Sequence, residues 1–419
     1  MPTTRKKTRT KTRTKPTKST ERDRRSGPGA RALVALLLTS ATAFAQNHDP
    51  PLPAGPGSHP PGPTGPDPAP KIPDPSRRGG PRRIPPFEAA RNLTVASGPN
   101  VVFAAPLDAD LLAAPCVTPA GVVAGTASGA VSLIEFAHGD VVWTAHVGSA
   151  VTAGPVASGD AAVVATAAGQ LLSISLRDGT IRDRATIAGR ATAPLAADAG
   201  HVAVSVGTSE LRVYRTAGLV LDTTLPGLGQ ISAAPSFVAG RLVVGSSQGD
   251  VASVDVAKSA AAPAWRTRLD SAITGRPIAL PGVASLVLLG TRSGSLATFD
   301  PETGKPGWTA HHPAAFVGAA VSGERLFAVF ADNAVVELDP ATGAEKHRAL
   351  MQSPPAVAPV ATAQRLFVVG ADGAVDGLDL DLLRRSRVEL RAAPIAADPA
   401  GATDVFVSVK PGVVYRIAR

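Results

Sequence analysis

The sequence predicts an all-β protein, an eight-bladed β-propeller of four-stranded antiparallel blades, from three observations. Similar segments recur about every 40 residues, each segment holds short strands joined by tight turns, and the composition suits pleated sheets. Aromatic residues make up only 4% of the 419 residues, so Ala, Val, Leu and Ile must form the core, while 41 Gly and 39 Pro supply many turns.

The repeat is clearest in a small residue followed by proline, which stands about six residues before an apolar strand. Successive positions are 40, 39, 41, 42, 42, 40 and 35 residues apart. Such regular spacing indicates structural repeats. Seven of the eight positions are Pro115, Pro155, Pro194, Pro235, Pro277, Pro359 and Pro394. In the remaining repeat, Ala319 takes the place of the proline.

Within each repeat, a strand such as 241–245 (RLVVG) leads through a tight turn to a second, alternating strand such as 250–256. Gly or Asn in these turns, as in Asp372-Gly373, provides the positive φ that a two-residue hairpin requires. An outer strand follows, and it begins near Trp143 or Trp308 in two of the repeats. None of these units can bury its apolar face alone, and stacking them around an axis as blades solves that problem.

The two chain ends are predicted to close the ring. The last repeat stops after three strands, and 101–111 (VVFAAPLDADL) resembles the outer strand that precedes later repeats. An N-terminal strand in the eighth blade would remove the free edges that invite aggregation. We therefore assign the propeller to residues 87–419.

The formal charge of +9 is concentrated in an N-terminal tail. Residues 1–31 hold 12 of the 42 Lys and Arg, so 30 basic residues face 31 acidic ones in the rest of the chain. Basic residues after the tail also lack interleaved aromatics, which argues against nucleic-acid binding.

Residues 1–45 have the parts of a secretory signal: a basic region, the apolar run 32–45, and the small-x-small ending Ala43-Phe44-Ala45. The apolar run has 14 residues, whereas a membrane-spanning helix needs about 20. We predict cleavage before Gln46 and a periplasmic or secreted protein with no transmembrane span after cleavage; an uncleaved anchor or a misassigned start are the alternatives. Because no Cys directly follows the run, the protein is not expected to be a lipoprotein.

Residues 46–86 form a proline-rich linker, with 15 prolines in 41 positions and almost no large apolar side chains. Such a composition cannot build a core and favours extended polyproline II conformation. The segment is predicted to be a disordered spacer, or an unselected tail without a spacer function.

The sequence contains only weak candidates for catalytic or metal-binding motifs. The single Cys116 permits no intrachain disulfide and is read as a small buried hydrophobe. The nucleophile-elbow spacing at 245–249 recurs in the hairpins of other repeats with no helix following, so it is interpreted as a turn. His311 and His312 would point to opposite faces of a strand, and these two, like His138, are expected in loops or on the surface. No catalytic residue and no metal site are predicted.

The string G-x-x-x-G-x-L-x-x-x-D-x-x-T-G-x-x-x-W, at 290–308, resembles the repeat of the pyrroloquinoline quinone (PQQ)-like propeller family. The resemblance covers about residues 101–419. It implies that an outer-strand Trp and a turn Gly lock adjacent blades together, and that aliphatic packing compensates where Trp is absent. The candidate blade-packing residues are Trp143, Trp265, Trp308, Gly139, Gly304 and Gly343.

That family includes quinoprotein dehydrogenases, BamB-like outer-membrane assembly factors and sensor-attached propellers. The dehydrogenases hold PQQ against adjacent cysteines joined by a disulfide, which a single Cys cannot form, so no PQQ, no other cofactor and no enzyme activity are expected. The leading hypothesis is a monomeric, BamB-like scaffold for protein partners in the cell envelope. A PQQ-dependent dehydrogenase and a small-ligand-sensing propeller are the alternatives.

Overall fold

The computed structural model describes residues 96–258, 262–282 and 286–418. The predicted signal and linker lie outside these residues, as do 87–95 of the predicted propeller. Within the described part, 32 strands form eight separate four-stranded antiparallel sheets, so the predicted eight-bladed propeller is confirmed. A single 3-10 turn (Val256–Lys258) is the one helical element there, and no helix of the described residues is long and apolar enough to cross a bilayer.

The chain enters through β1 (Val101–Pro106) and then builds the blades in sequence, each from its inner to its outer strand. Blade 1 contains β2 (Cys116–Thr118), β3 (Gly121–Gly125), β4 (Ala130–Ile134) and β5 (Val141–His146). Blade 2 contains β6 (Val151–Ser158), β7 (Ala161–Thr166), β8 (Gln170–Ser175) and β9 (Ile181–Thr186). Blade 3 contains β10 (Ala196–Ala197), β11 (His201–Val206), β12 (Glu210–Arg215) and β13 (Val220–Leu225). Blade 4 contains β14 (Ser236–Val238), β15 (Arg241–Gly245), β16 (Asp250–Val254) and β17 (Trp265–Arg268).

The second half of the ring follows the same order. Blade 5 contains β18 (Ile278–Ala279), β19 (Val287–Gly290), β20 (Ser295–Phe299) and β21 (Pro306–His311). Blade 6 contains β22 (Phe316–Ser322), β23 (Arg325–Phe330), β24 (Ala334–Leu338) and β25 (Glu345–Leu350). Blade 7 contains β26 (Val360–Ala361), β27 (Arg365–Val369), β28 (Ala374–Asp379) and β29 (Arg384–Glu389). Blade 8 contains β30 (Pro394–Pro399), β31 (Val405–Val409) and β32 (Val413–Ile417), with β1 as its outer strand.

Blade 8 closes the ring as the sequence predicts. Strand β1 pairs antiparallel with β32, from Val101 opposite Ile417 to Pro106 opposite Val413. Because β1 stands about 300 residues before its partner in the chain, this pairing joins both ends of the propeller without a covalent link.

The core lies between the blades and is mainly aliphatic. One cluster joins Val131 and Trp143 of blade 1 to Val164 and Ile174 of blade 2, and similar clusters fill the other junctions. The small side chains allow neighbouring sheets to approach closely, and each sheet therefore buries both of its faces.

Antiparallel connectivity places the loops at two ends of the blades. Turns between the second and third strands share one end with the loops that lead to the next blade, as the bond from the Val147 amide to the Gly129 carbonyl shows. Turns between the third and fourth strands lie at the opposite end, and these turns contact the preceding blade.

Candidate functional site

The three tryptophans donate hydrogen bonds across blade junctions to the same kind of acceptor. Each indole Nε1 donates to a main-chain carbonyl in the turn between the third and fourth strands of the next blade. The distances are 3.0 Å from Trp143 to Leu176, 2.9 Å from Trp265 to Pro301 and 2.8 Å from Trp308 to Pro340. Such a bond satisfies the indole N–H while its ring fills the junction.

A turn glycine lies directly against the face of each of these rings. A Cβ at Gly304 would stand 2.7 Å from Trp265 Cγ, and one at Gly343 would stand 2.3 Å from Trp308 Cε3. Both glycines also have positive φ, of 73° and 72°. Two independent constraints, space and backbone conformation, therefore favour glycine at these turns.

Two of the turn glycines differ from what the repeat pattern suggests. Gly139 lies against the ring of Phe103 in blade 8, at 2.5 Å from its ideal Cβ to Cδ2, so phenylalanine occupies the position at this junction that Trp occupies elsewhere. The glycine against Trp143 is Gly179, at 2.7 Å in the turn Arg177-Asp178-Gly179, which is not among the glycines predicted from the sequence.

Arginine takes over the donor role at two junctions that lack Trp. Arg325 Nη2 in blade 6 donates to the Leu380 carbonyl at 2.7 Å, and Arg416 Nη1 in blade 8 donates to the Phe136 carbonyl at 2.7 Å. These carbonyls occupy the same turn position as those that accept from Trp. These two junctions therefore have a polar contact in addition to the aliphatic packing that the resemblance implied.

Both arginines are held by acids of their own blade. Arg325 binds the Glu337 carboxylate through two nitrogens at 2.8 and 2.7 Å, and His347 Nδ1 lies 2.8 Å from the same carboxylate. Burial alone would raise the pKa of Glu337, but these hydrogen bonds lower it below its usual value. Asp404 orients Arg416 in the same way, at 3.0 and 2.7 Å. The charge is thus neutralised locally while one N–H remains directed across the junction.

Blade 3 is joined to its neighbours by other contacts. Ser158 Oγ donates to the Asp198 carbonyl at 2.7 Å on one side, and Arg266 Nη1 donates to the Gly227 carbonyl at 2.9 Å on the other. In the described structure, no Trp or Arg reaches the turn carbonyl at either junction. Buried apolar side chains between the sheets form the main contact at these two junctions.

Two side chains of the inner strands have altered acidity. Burial raises the pKa of Asp398, on β30, to about 7, and Arg276 opposes that rise. Burial also raises the pKa of the Cys116 thiol, on β2, to about 11. A thiol with such a pKa stays protonated near neutral pH and is a poor nucleophile, in keeping with its interpretation as a small hydrophobe.

Two hollows of the described structure differ widely in size. A cavity of about 10 Å³, lined by Asp398, Phe406 and Ser408 among others, has room for roughly one water. An open groove of about 510 Å³ lies between residues 96–101 and the end of β29, with polar and apolar walls. The prediction that the protein binds no cofactor stays a prediction.

The histidines fall into different settings. His311 is exposed at the end of β21, whereas His312 is buried, stacks on Phe330 at 3.9 Å and lies 2.8 Å from Asp332 Oδ2. His312 lies in the loop after β21, in keeping with the expectation of loop or surface residues, and its ring also packs into a junction. Exposed His138 shares a turn with two acids, Glu135 and Asp140, and their ligand-type atoms lie within 4.8 Å of one another.

The closed ring of four-stranded blades, with an indole laid against a turn glycine, defines a propeller of the PQQ-like class. Residues 92–218 and 256–382 match the family model described as "Outer membrane protein assembly factor BamB". The two matches cover more than half of the chain, and the protein belongs to this family. None of the curated proteins matches the chain.

Solved structures share the fold at low sequence identity. BamB from Moraxella catarrhalis is 22% identical with a TM-score of 0.64, over 76% of this chain and 97% of that one. The computationally designed Ika8 protein is 17% identical with a TM-score of 0.66, over 76% and 100%. Sqt1 from Saccharomyces cerevisiae is 12% identical with a TM-score of 0.67, over 76% and 99%. At these identities the likeness concerns the fold.

Proposed function

We propose that this protein is an exported scaffold that binds protein partners in the cell envelope, and that it takes part in outer-membrane protein assembly. The family match over residues 92–218 and 256–382 carries the proposal, since the family is described by that role. The architecture supports it, because loops and strand edges on a rigid ring suit recognition of extended chains.

The envelope location rests on the N-terminal sequence. A basic region, an apolar run of 14 residues and the Ala43-Phe44-Ala45 ending match a secretory signal, and the mature protein would begin at Gln46. Cell fractionation and mass determination of the mature N-terminus test this directly. A charged residue within the apolar run, Leu37→Arg, should retain the protein in the cytoplasm; periplasmic recovery of that variant would contradict the signal assignment.

Crosslinking in intact cells tests the assembly role. The full chain, carrying a C-terminal tag, should be captured together with components of the outer-membrane assembly machinery. Leu37→Arg serves as the control, because a protein retained in the cytoplasm cannot meet those components. Capture of other envelope proteins alone would overturn the assembly role and leave a scaffold with another partner.

The prediction that the protein lacks quinone chemistry is open to a direct assay. Quinoprotein dehydrogenases of the resembling class use adjacent cysteines, and this chain has one, Cys116, whose thiol is held protonated by burial. Addition of PQQ and calcium to the purified protein should therefore give no dye reduction with alcohols or sugars. Turnover under these conditions would contradict the non-enzymatic assignment.

A further inference from the structure

The outer strands of most blades carry a bulge, and its extra residue is charged in four blades. Arg182, Asp222, Lys346 and Arg385 occupy this position in blades 2, 3, 6 and 7. Each forms an ion pair within its own blade, with oxygen–nitrogen distances between 2.6 and 2.9 Å. Bulges and charges on edge strands are features that discourage pairing with another chain.

Blades 8 and 1, which are neighbours in the ring, have valine in this position. The bulge residues there are Val102 in β1 and Val142 in β5, and their exposed fractions are 45% and 53%. Val141 beside them is 41% exposed. Neither strand contains Lys, Arg, Asp or Glu, whereas β29 contains four such residues. These two neighbouring outer strands therefore have an exposed valine at the bulge position that is charged in blades 2, 3, 6 and 7.

Aromatic side chains lie at the same junction. Phe406 lies 6.2 Å from Phe103 and 5.5 Å from Phe136 between ring centroids, and Phe136 is half-buried. The chain has only 11 Phe, so three of them in one cluster is a local concentration. We call Val102, Phe136, Val141 and Val142 the closure patch. Exposed aliphatic and aromatic side chains are typical of the centre of a protein interface.

The turn beside the closure patch is acidic. Glu135 and Asp140 stand in the turn that leads directly into Val141. The one arginine described as reaching this turn, Arg416, is bound to Asp404. No ion pair of Glu135 or Asp140 with Lys or Arg is found in the described structure, and Glu135 pairs only with exposed His138. A basic partner would therefore meet two carboxylates without a Lys or Arg partner at the edge of an apolar surface.

We propose that the closure patch binds an extended segment of a partner protein that has aliphatic or aromatic side chains next to Lys or Arg. The free edge of β5 would offer main-chain hydrogen bonds, the valines and Phe136 would contact the apolar side chains, and the acidic turn would attract the basic ones. This inference rests on the proposed scaffold function and specifies where the partner binds and its chemistry.

Binding of a synthetic peptide to the full chain tests the assignment. A fluorescent ten-residue peptide of alternating Val and Thr with Lys at both ends serves as the probe, and anisotropy gives its affinity. Val142→Lys should weaken binding by about tenfold or more, because it places a cation where the probe brings its own. Val220→Lys is the matched control: Val220 is 58% exposed on the outer strand of blade 3, and its replacement should leave the affinity unchanged.

The acidic turn has its own test. The double substitution Glu135→Gln and Asp140→Asn should weaken binding several-fold and flatten its salt dependence, since screening acts on the charges that it removes. Equal thermal midpoints of all variants would show that the fold is intact. Equal affinity of Val142→Lys and the unaltered chain would overturn the assignment, as would an equal loss in Val220→Lys.

Two further outcomes separate this inference from the proposed function. A dimer of the unaltered chain that Val142→Lys dissociates would make the patch a self-interface and overturn the partner assignment. If crosslinking in cells captures the same envelope partner with Val142→Lys as without it, the scaffold function stands and the closure patch is wrong. If the chain crosslinks to no envelope protein, the proposed function itself fails.

Discussion

The junctions on either side of blade 5 and those on either side of blade 3 hold similar sheets together by different means. Blade 5 is joined through Trp265 and Trp308, each with an indole bond of 2.9 or 2.8 Å to a turn carbonyl and a glycine under the ring. Blade 3 has neither feature, and aliphatic clusters hold it in place together with hydrogen bonds from Ser158, Arg212 and Arg266.

This difference shows that a blade can keep its place in the ring without a Trp or Arg bond to the turn carbonyl. At three junctions, tryptophan adds a hydrogen bond to packing that is already apolar. Arginine adds such a bond at two other junctions. We therefore expect substitutions at blades with a tryptophan junction to cost more than substitutions at blade 3, and expect blade 3 to gain from a new aromatic ring.

The largest effect should follow from removal of the most buried tryptophan. Trp143 is 7% exposed and packs against Gly179, and Trp143→Ala should lower the free energy of unfolding by about 3–5 kcal/mol. Urea unfolding followed by circular dichroism measures the loss. His146→Ala, on the exposed side of the same strand, is the control and should cost about 0.5 kcal/mol or less; similar losses in both variants would refute the tryptophan's role.

A methyl group on a turn glycine should have the next largest effect. Gly343→Ala adds strain at a φ of 72° and a contact of 2.3 Å with Trp308, so we expect a loss of about 3 kcal/mol. Gly323→Ala separates the two causes, because its φ is 56° and nothing lies within 4 Å of the added carbon. That control should lose only about 1 kcal/mol. Equal losses would show that backbone strain, and not contact with the indole, dominates.

A new aromatic ring at blade 3 should give a smaller gain. Asp183 lies opposite Ser173 in blade 2 as Trp143 lies opposite Leu133 in blade 1, and the buried Leu219, with a φ of 47°, has the turn position in blade 3 that Gly179 has in blade 2. In a Leu219→Gly background, which makes room for a ring, Asp183→Trp should stabilise the protein by about 1 kcal/mol. Asp183→Ala, measured in the same unfolding experiment, controls for loss of the carboxylate, and an equal gain in both variants would argue against a new contact.

The smallest effect concerns pH and blade 8. Because burial raises the pKa of Asp398 to about 7, the folded protein holds a proton there that the unfolded chain releases near pH 4. The contribution of protonated Asp398 to the free energy of unfolding is present in full below about pH 4 and is lost as the pH rises towards 7. Asp398→Asn should remove this dependence and raise the thermal midpoint at pH 8 by about 2 °C. A midpoint difference between the two proteins that does not change from pH 5 to pH 8 would contradict the assignment.

Much of the fold could be predicted from local signals. Turn pairs such as Ser293-Gly294 and Asp372-Gly373, and the proline spacing near 40 residues, were enough to define eight blades and the closing strand before Leu111. Each of these signals depends on neighbours in the chain, on the φ that glycine allows or on the alternation of one strand. They therefore remain readable even in blade 3, whose inner strand has only two residues.

The junctions could be predicted only in part. The tryptophans and three turn glycines stand out in the repeat, although their role in stability stays a prediction. Arg325 and Arg416 could not be recognised, because each donates to a main-chain carbonyl that lies 55 or 280 residues away. Every residue type has such a carbonyl, so the sequence does not show which residue is the acceptor. The packing of His312 could not be predicted for a similar reason, since the stacked Phe330 and the paired Asp332 belong to the next blade.

The sequence by itself determined the number of blades, the turns that separate their strands and the strand that closes the ring, because these follow from local backbone preferences repeated along the chain. Only the tertiary structure decided which side chain donates across each junction. It also decided which apolar residues of the closure patch lie beside the acidic turn. Those features depend on which strands of different blades come to lie side by side, and ring closure brings together residues from opposite ends of the propeller.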